Sequence, residues 1–142
     1  MKYSYRINQD DENEAWVPFE HLYELEKYFA EMKNNDSPYI LYAAIEISSE
    51  RIIVVEGMKN VVARGLFKKV KYHHYELSVF IGTNHSTDEW HLLEVKDDFE
   101  TFYQSFKSVV ENPESIDLSR WQNESELLLE EDRSNTPMEM EF

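Results

Sequence analysis

Cysteine is absent from the 142 residues, and glycine occurs only three times, at Gly57, Gly65 and Gly82. The first absence removes disulfide frameworks, thiolate nucleophiles and zinc sites built on thiolates. The second leaves no G-x-G-x-x-G and no other phosphate-cradling loop, which argues against nucleotide-dependent enzymes. The G-x-S-x-G elbow, the H-E-x-x-H pair and the spacing of a calcium-binding EF-hand are also missing. No run approaches the ~18 apolar residues of a membrane span. The opening Met1-Lys2-Tyr3-Ser4-Tyr5-Arg6 lacks the apolar core of a secretory signal, so the expectation is a soluble cytoplasmic protein with no membrane partner.

Basic residues are scarce. Lys and Arg number 14 against 29 Asp and Glu, a net charge of −15. Such a polyanion repels phosphate backbones, so direct nucleic-acid binding is not expected. The imbalance is uneven. Residues 1–37 hold nine acids and four bases, residues 38–96 seven of each, and residues 111–142 ten acids and two bases. Acidic ends on a neutral middle suggest a solvated tail or a surface that meets something basic.

The apolar pattern gives the elements. Tyr3, Tyr5 and Ile7 alternate with Ser4, Arg6 and Asn8, as in a short strand. Pro18 suits a first helical position, and Leu22, Leu25, Phe29 and Met32 continue at helical spacing until Asn34-Asn35-Asp36-Ser37-Pro38. Tyr39–Ile47 reads as a strand buried on both faces, and Arg51–Glu56 as its hairpin partner, ended by Gly57. Residues 58–67 are ambiguous between a loop and a short helix. Lys69–Ile81 alternates, but its apolar parity changes between His73 and His74, which predicts a bulge. Glu89–Val95 is the next strand. Asp97-x-x-Glu100 has capping-box spacing, and Phe99, Phe102, Tyr103, Phe106, Val109 and Val110 form a helical stripe ended by Asn112-Pro113.

The expected fold is α+β: one antiparallel sheet of four to five strands in β-α-β-β-β-β-α order, with both amphipathic helices on one face. Residues 1–112 are expected to form one domain. Residues 113–142 are an acidic C-terminal extension, partly ordered at most and disordered from Glu130.

Candidate chemistry is thin. His74, Glu76, Asp88 and His91 are the only plausible donors to a polar site that a hairpin would bring together on the open sheet face. Asp10-Asp11-Glu12 and Asp97-Asp98 are carboxylate clusters without a chelating spacing, so neither a metal nor a cofactor is expected. Arg64, Lys68, Lys69 and Lys71 form a basic cluster beside Tyr72, read as protection of a sheet edge rather than as a nucleic-acid footprint. Trp16 and Trp121 stand in acidic, irregular segments, where an indole among carboxylates suits an interface anchor.

These features point to a non-enzymatic protein that neutralises a basic protein partner. Layout and charge, with no sequence motif, are similar to those of small bacterial immunity proteins, antitoxins and nuclease inhibitors. The resemblance implies a toxin or nuclease domain as partner. Two contact patches are expected: Asp10, Asp11, Glu12 and Glu14 with Trp16, and Glu124, Glu126, Glu130, Glu131 and Asp132 with Trp121. The alternatives are a small enzyme or ligand-binding domain using the histidine–carboxylate group, and a structural or regulatory homodimer.

Overall fold

Strands that alternate apolar and polar residues must bury one face, and here that face carries the helices. The computed structural model describes residues 1–7 and 15–128. Among these residues, the strands are β1 (Lys2–Ile7), β2 (Val17–Phe19), β3 (Tyr39–Ser48), β4 (Arg51–Arg64), β5 (Val70–Gly82), β6 (Thr87–Lys96) and β7 (Gln122–Asn123). They form one seven-stranded sheet, ordered β2-β1-β3-β4-β5-β6-β7, with every pairing antiparallel. Two α-helices, α1 (Glu26–Asn34) and α2 (Phe99–Glu111), accompany it, and a 3-10 turn at Leu22–Leu25 leads into α1.

The core lies between the helices and one sheet face. Leu41, Ala43 and Ile45 of β3, Ile53 and Val55 of β4, and Leu77 and Val79 of β5 are buried there with Phe29, Met32, Phe102 and Phe106 of the helices. The Phe29 and Phe106 rings meet edge to face at 5.0 Å, joining α1 to α2. Residues 113–128 continue along this body: Pro113 is buried, and Ile116, Leu118 and Trp121 pack against the core.

The α+β class and the antiparallel sheet match the sequence reading, but the sheet has seven strands rather than four or five, and three helical segments replace two. Pro18 starts no helix. It lies in β2, an edge strand that tolerates its missing N–H, and helical geometry begins at Leu22. There the Glu24 carboxylate accepts the backbone N–H groups of Glu20 and His21, both at 2.8 Å. The residue capping α2 is Asp98, one position later than the spacing suggested. Its side chain accepts from the Thr101 N–H at 3.1 Å, while Asp97 adopts a left-handed φ of 52°.

Gly57 does not end β4, which runs on through residues 58–64. Nor is there a bulge at His73 and His74: β5 pairs with β4 in unbroken register from Arg64↔Val70 to Ile52↔Gly82. The parity changes because the cover changes. β3 leaves β4 at Tyr39↔Lys59, and β6 leaves β5 at His74↔Lys96. Beyond these points β4 and β5 project as a two-stranded ribbon with no helix over it among the described residues, so Val62, Val70 and Tyr72 have no reason to follow the core parity. Register shifts fall instead between Glu46 and Ser48 and between Ile81 and Gly82.

Candidate interaction surface

The sheet face opposite the helices has no element over it among the described residues. Ile40, Tyr42 and Ala44 of β3, expected to be fully buried, are only half-buried, as are Ile52, Val54 and Met58 of β4 and Phe80 of β5. Phe80 stacks on Trp90 of β6 with ring centroids 5.9 Å apart, and Tyr42 meets Trp16 edge to face at 6.1 Å. The result is a broad apolar surface facing outward. Contiguous apolar area of this kind marks contact sites more often than plain surface.

Carboxylates cross it. Register places Glu56 of β4 opposite Ser78, and Glu76 of β5 opposite both Met58 and Glu94 of β6, so Glu56, Glu76 and Glu94 run diagonally over three adjacent strands. Two like charges directly opposite each other destabilise an antiparallel pair. Burial pushes the Glu56 carboxyl up; a hydrogen bond with Tyr42 opposes this, and the Glu76 charge adds to it. His74 Nε2 lies 3.2 Å from Glu76 Oε1, and Lys96 stands opposite His74. Arg6 stands opposite Tyr42, at the β1 end of the Glu56 row.

The four side chains of the supposed polar site do not converge. His74 and Glu76 share the open face as i, i+2 neighbours of β5. His91 pairs with Val79, so it lies on the helix-bearing face and is buried there, 4.0 Å from Glu89. Asp88 is exposed beyond the hairpin turn, accepting from Ser86 Oγ at 3.2 Å. A strand separates successive residues onto opposite faces, and this register fixes His91 on the wrong one. Among the described residues no three histidine, aspartate or glutamate side chains are grouped to hold a metal ion.

The two expected acidic patches fall mainly outside the described residues: Asp10, Asp11, Glu12 and Glu14 in the first, Glu130, Glu131 and Asp132 in the second. Of their described members, Trp16 is 40% exposed and borders the open face through Tyr42. Trp121 is half-buried against the core between α2 and β7. Glu124 is half-buried, with its N–H donating to the Trp90 carbonyl at 2.8 Å, and Glu126 is exposed.

The diagonal of Glu56, Glu76 and Glu94 escaped the sequence reading because up to 38 positions separate its members. Each is nonetheless a carboxylate at the outward parity of an otherwise apolar strand, which is the signal that would have found it. Comparison with protein families, with curated proteins and with solved structures finds no match.

Proposed function

We propose that the chain is a non-enzymatic binding protein whose open sheet face docks a basic protein partner. The reading rests on one observation: Glu56, Glu76 and Glu94 stand together on an apolar face that no described element covers, with Glu56 desolvated and Glu76 opposed by Glu94. Such carboxylates cost stability in the free protein. A partner's arginine or lysine placed among them relieves the repulsion and completes their hydrogen bonding. The surrounding Tyr42, Phe80 and Trp90 supply aromatic area of the sort that carries binding energy. The net charge of −15 steers a cationic partner toward the chain.

The partner class that fits best is a protein with a phosphate-binding surface, such as a toxin nuclease, and the role that of an immunity- or antitoxin-type inhibitor. Self-pairing through the same face is disfavoured, since a two-fold contact would bring two acidic diagonals together. The sheet's end strands, of three and two residues, offer little edge for a second copy.

The test is calorimetric titration of the purified chain with the protein encoded beside it. Binding should weaken steeply between about 50 mM and 500 mM salt, and Glu56→Lys/Glu76→Lys should lower affinity by about tenfold or more. A neighbour that is not basic, salt-insensitive binding, or an unaffected double variant would each sink the reading.

A further inference from the structure

The projecting ribbon ends in the most exposed apolar residues of the described chain. Leu66 is 97% exposed and Phe67 103%, so neither side chain touches the body of the protein. They cap a five-residue connection between Arg64 and Val70, with Gly65 turning the corner at a φ of 131°. Residues 57–75 contain no aspartate or glutamate but five Lys and Arg, of which Arg64, Lys68, Lys69 and Lys71 surround the tip. With this segment removed, the rest of the chain would carry −20. One end of an acidic molecule is thus cationic and apolar at its apex.

We propose that this ribbon tip is a peripheral membrane contact, with Leu66 and Phe67 entering the headgroup–acyl boundary of an anionic bilayer and the four cations engaging lipid phosphates and carboxylates. A lipid interface takes up apolar side chains without shape complementarity, which suits two residues that no packing holds in place. The cations sit where an anionic surface would attract them.

The ribbon also addresses the repulsion of the acidic body. His73 is still tied to the body through Asp97 N–H and the Asp36 carboxylate, and the three pairs beyond it, Val62↔Tyr72 to Arg64↔Val70, span about 10 Å before the turn begins. That exceeds the Debye length of roughly 8 Å at physiological salt, so the body's charge is largely screened at the membrane. A duplex nucleic acid fits less well, because the arms present Val61, Val62, Ala63, Val70 and Tyr72 where phosphate-tracking cations would be needed. No membrane-spanning helix is required, and none of the described helices is long and apolar enough to be one.

Flotation of the full chain with phosphatidylcholine vesicles, with and without about 30% phosphatidylserine, tests the proposal. The chain should float with the anionic vesicles only. Leu66→Ser/Phe67→Ser should lower the bound fraction about tenfold, and Lys68→Glu/Lys69→Glu at least as much. Both pairs lie on a tip without core contacts, so circular dichroism should show wild-type folding. Three results would overturn it: no flotation with anionic vesicles, full flotation of the Leu66→Ser/Phe67→Ser variant, or tighter binding to duplex DNA that the same variants abolish. The Glu56→Lys/Glu76→Lys variant should float as the wild type does, which separates this contact from the docking of a basic partner.

Discussion

Gly57 lies directly beneath the ring of Phe102: a Cβ built on it would stand 2.8 Å from Phe102 Cζ and 3.0 Å from Phe106 Cδ2. Helix α2 therefore seats on the one position of β4 that offers no side chain. Both rings are fully buried, and Phe102 also packs on Tyr75 at 4.9 Å, so neither can swing aside without opening the core. Gly57→Ala should destabilise the fold by about 1–3 kcal/mol through overpacking, although alanine suits a strand better than glycine does. Chemical denaturation would measure it; an unchanged midpoint would mean that α2 does not seat there.

Much of this architecture was legible in the chain. The stripe from Phe99 to Val110 reads as α2, and the apolar run from Tyr39 to Ile47 reads as β3, although only one face of that strand is fully buried and not both. What failed was punctuation. In a linear reading Gly57 looks like a strand's end and Pro18 like a helix's start, yet one is a close approach and the other an edge-strand residue, and only tertiary neighbours reveal which. The candidate surface was hidden for a related reason. His91 and His74 look convergent until the register puts them on opposite faces, while Glu56, Glu76 and Glu94 look unrelated until the same register aligns them.

Lys59 is fully buried on the helix side of β4, and its Nζ donates to the backbone carbonyls of Met32 and Asn35 at the end of α1. An ammonium at a helix C-terminus meets the negative end of the dipole and satisfies carbonyls that have no helical partner. Burial pushes its pKa down, opposed by the nearby Asp36 charge. Lys59→Met keeps much of the volume but strands both carbonyls, and should cost about 2–4 kcal/mol in denaturant titrations. If Lys59→Met matched the wild type, water would have to reach those carbonyls freely.

Alkaline pH should expose a second linkage. Tyr75 is buried, and its phenol is pushed up to about 12, chiefly by burial and then by the Asp97 charge. Tyr103 is also pushed up to about 12, by burial and by its hydrogen bond to Glu26. A phenol whose pKa is raised on folding contributes stability that is complete below pH 10, where both states are neutral, and is lost as pH rises toward 12, where the unfolded chain ionises first. Stability should therefore fall across that window. Tyr75→Phe/Tyr103→Phe should flatten the fall, as followed by urea midpoints between pH 9 and about 11; parallel curves for the two proteins would contradict it.

Glu56 links stability to the proposed docking face. Its carboxyl is raised above the ordinary value of 4.5, so the fold favours the protonated form, and ionisation at neutral pH works against folding. Glu56→Gln removes that charge while keeping the shape and a group that can still meet Tyr42. The variant should be as stable as the wild type or more so, by up to about 1 kcal/mol at pH 7. The difference should shrink as pH falls through the raised pKa toward 4.5, where the wild-type carboxyl also becomes neutral. The same substitution should weaken binding of the basic partner, so stability and affinity move in opposite directions, as expected where a surface keeps a costly charge for recognition. Thermal melts across pH 4 to 7, paired with calorimetry, check both halves. A variant that is less stable at pH 7 yet binds as before would show that Glu56 serves the fold and not the partner.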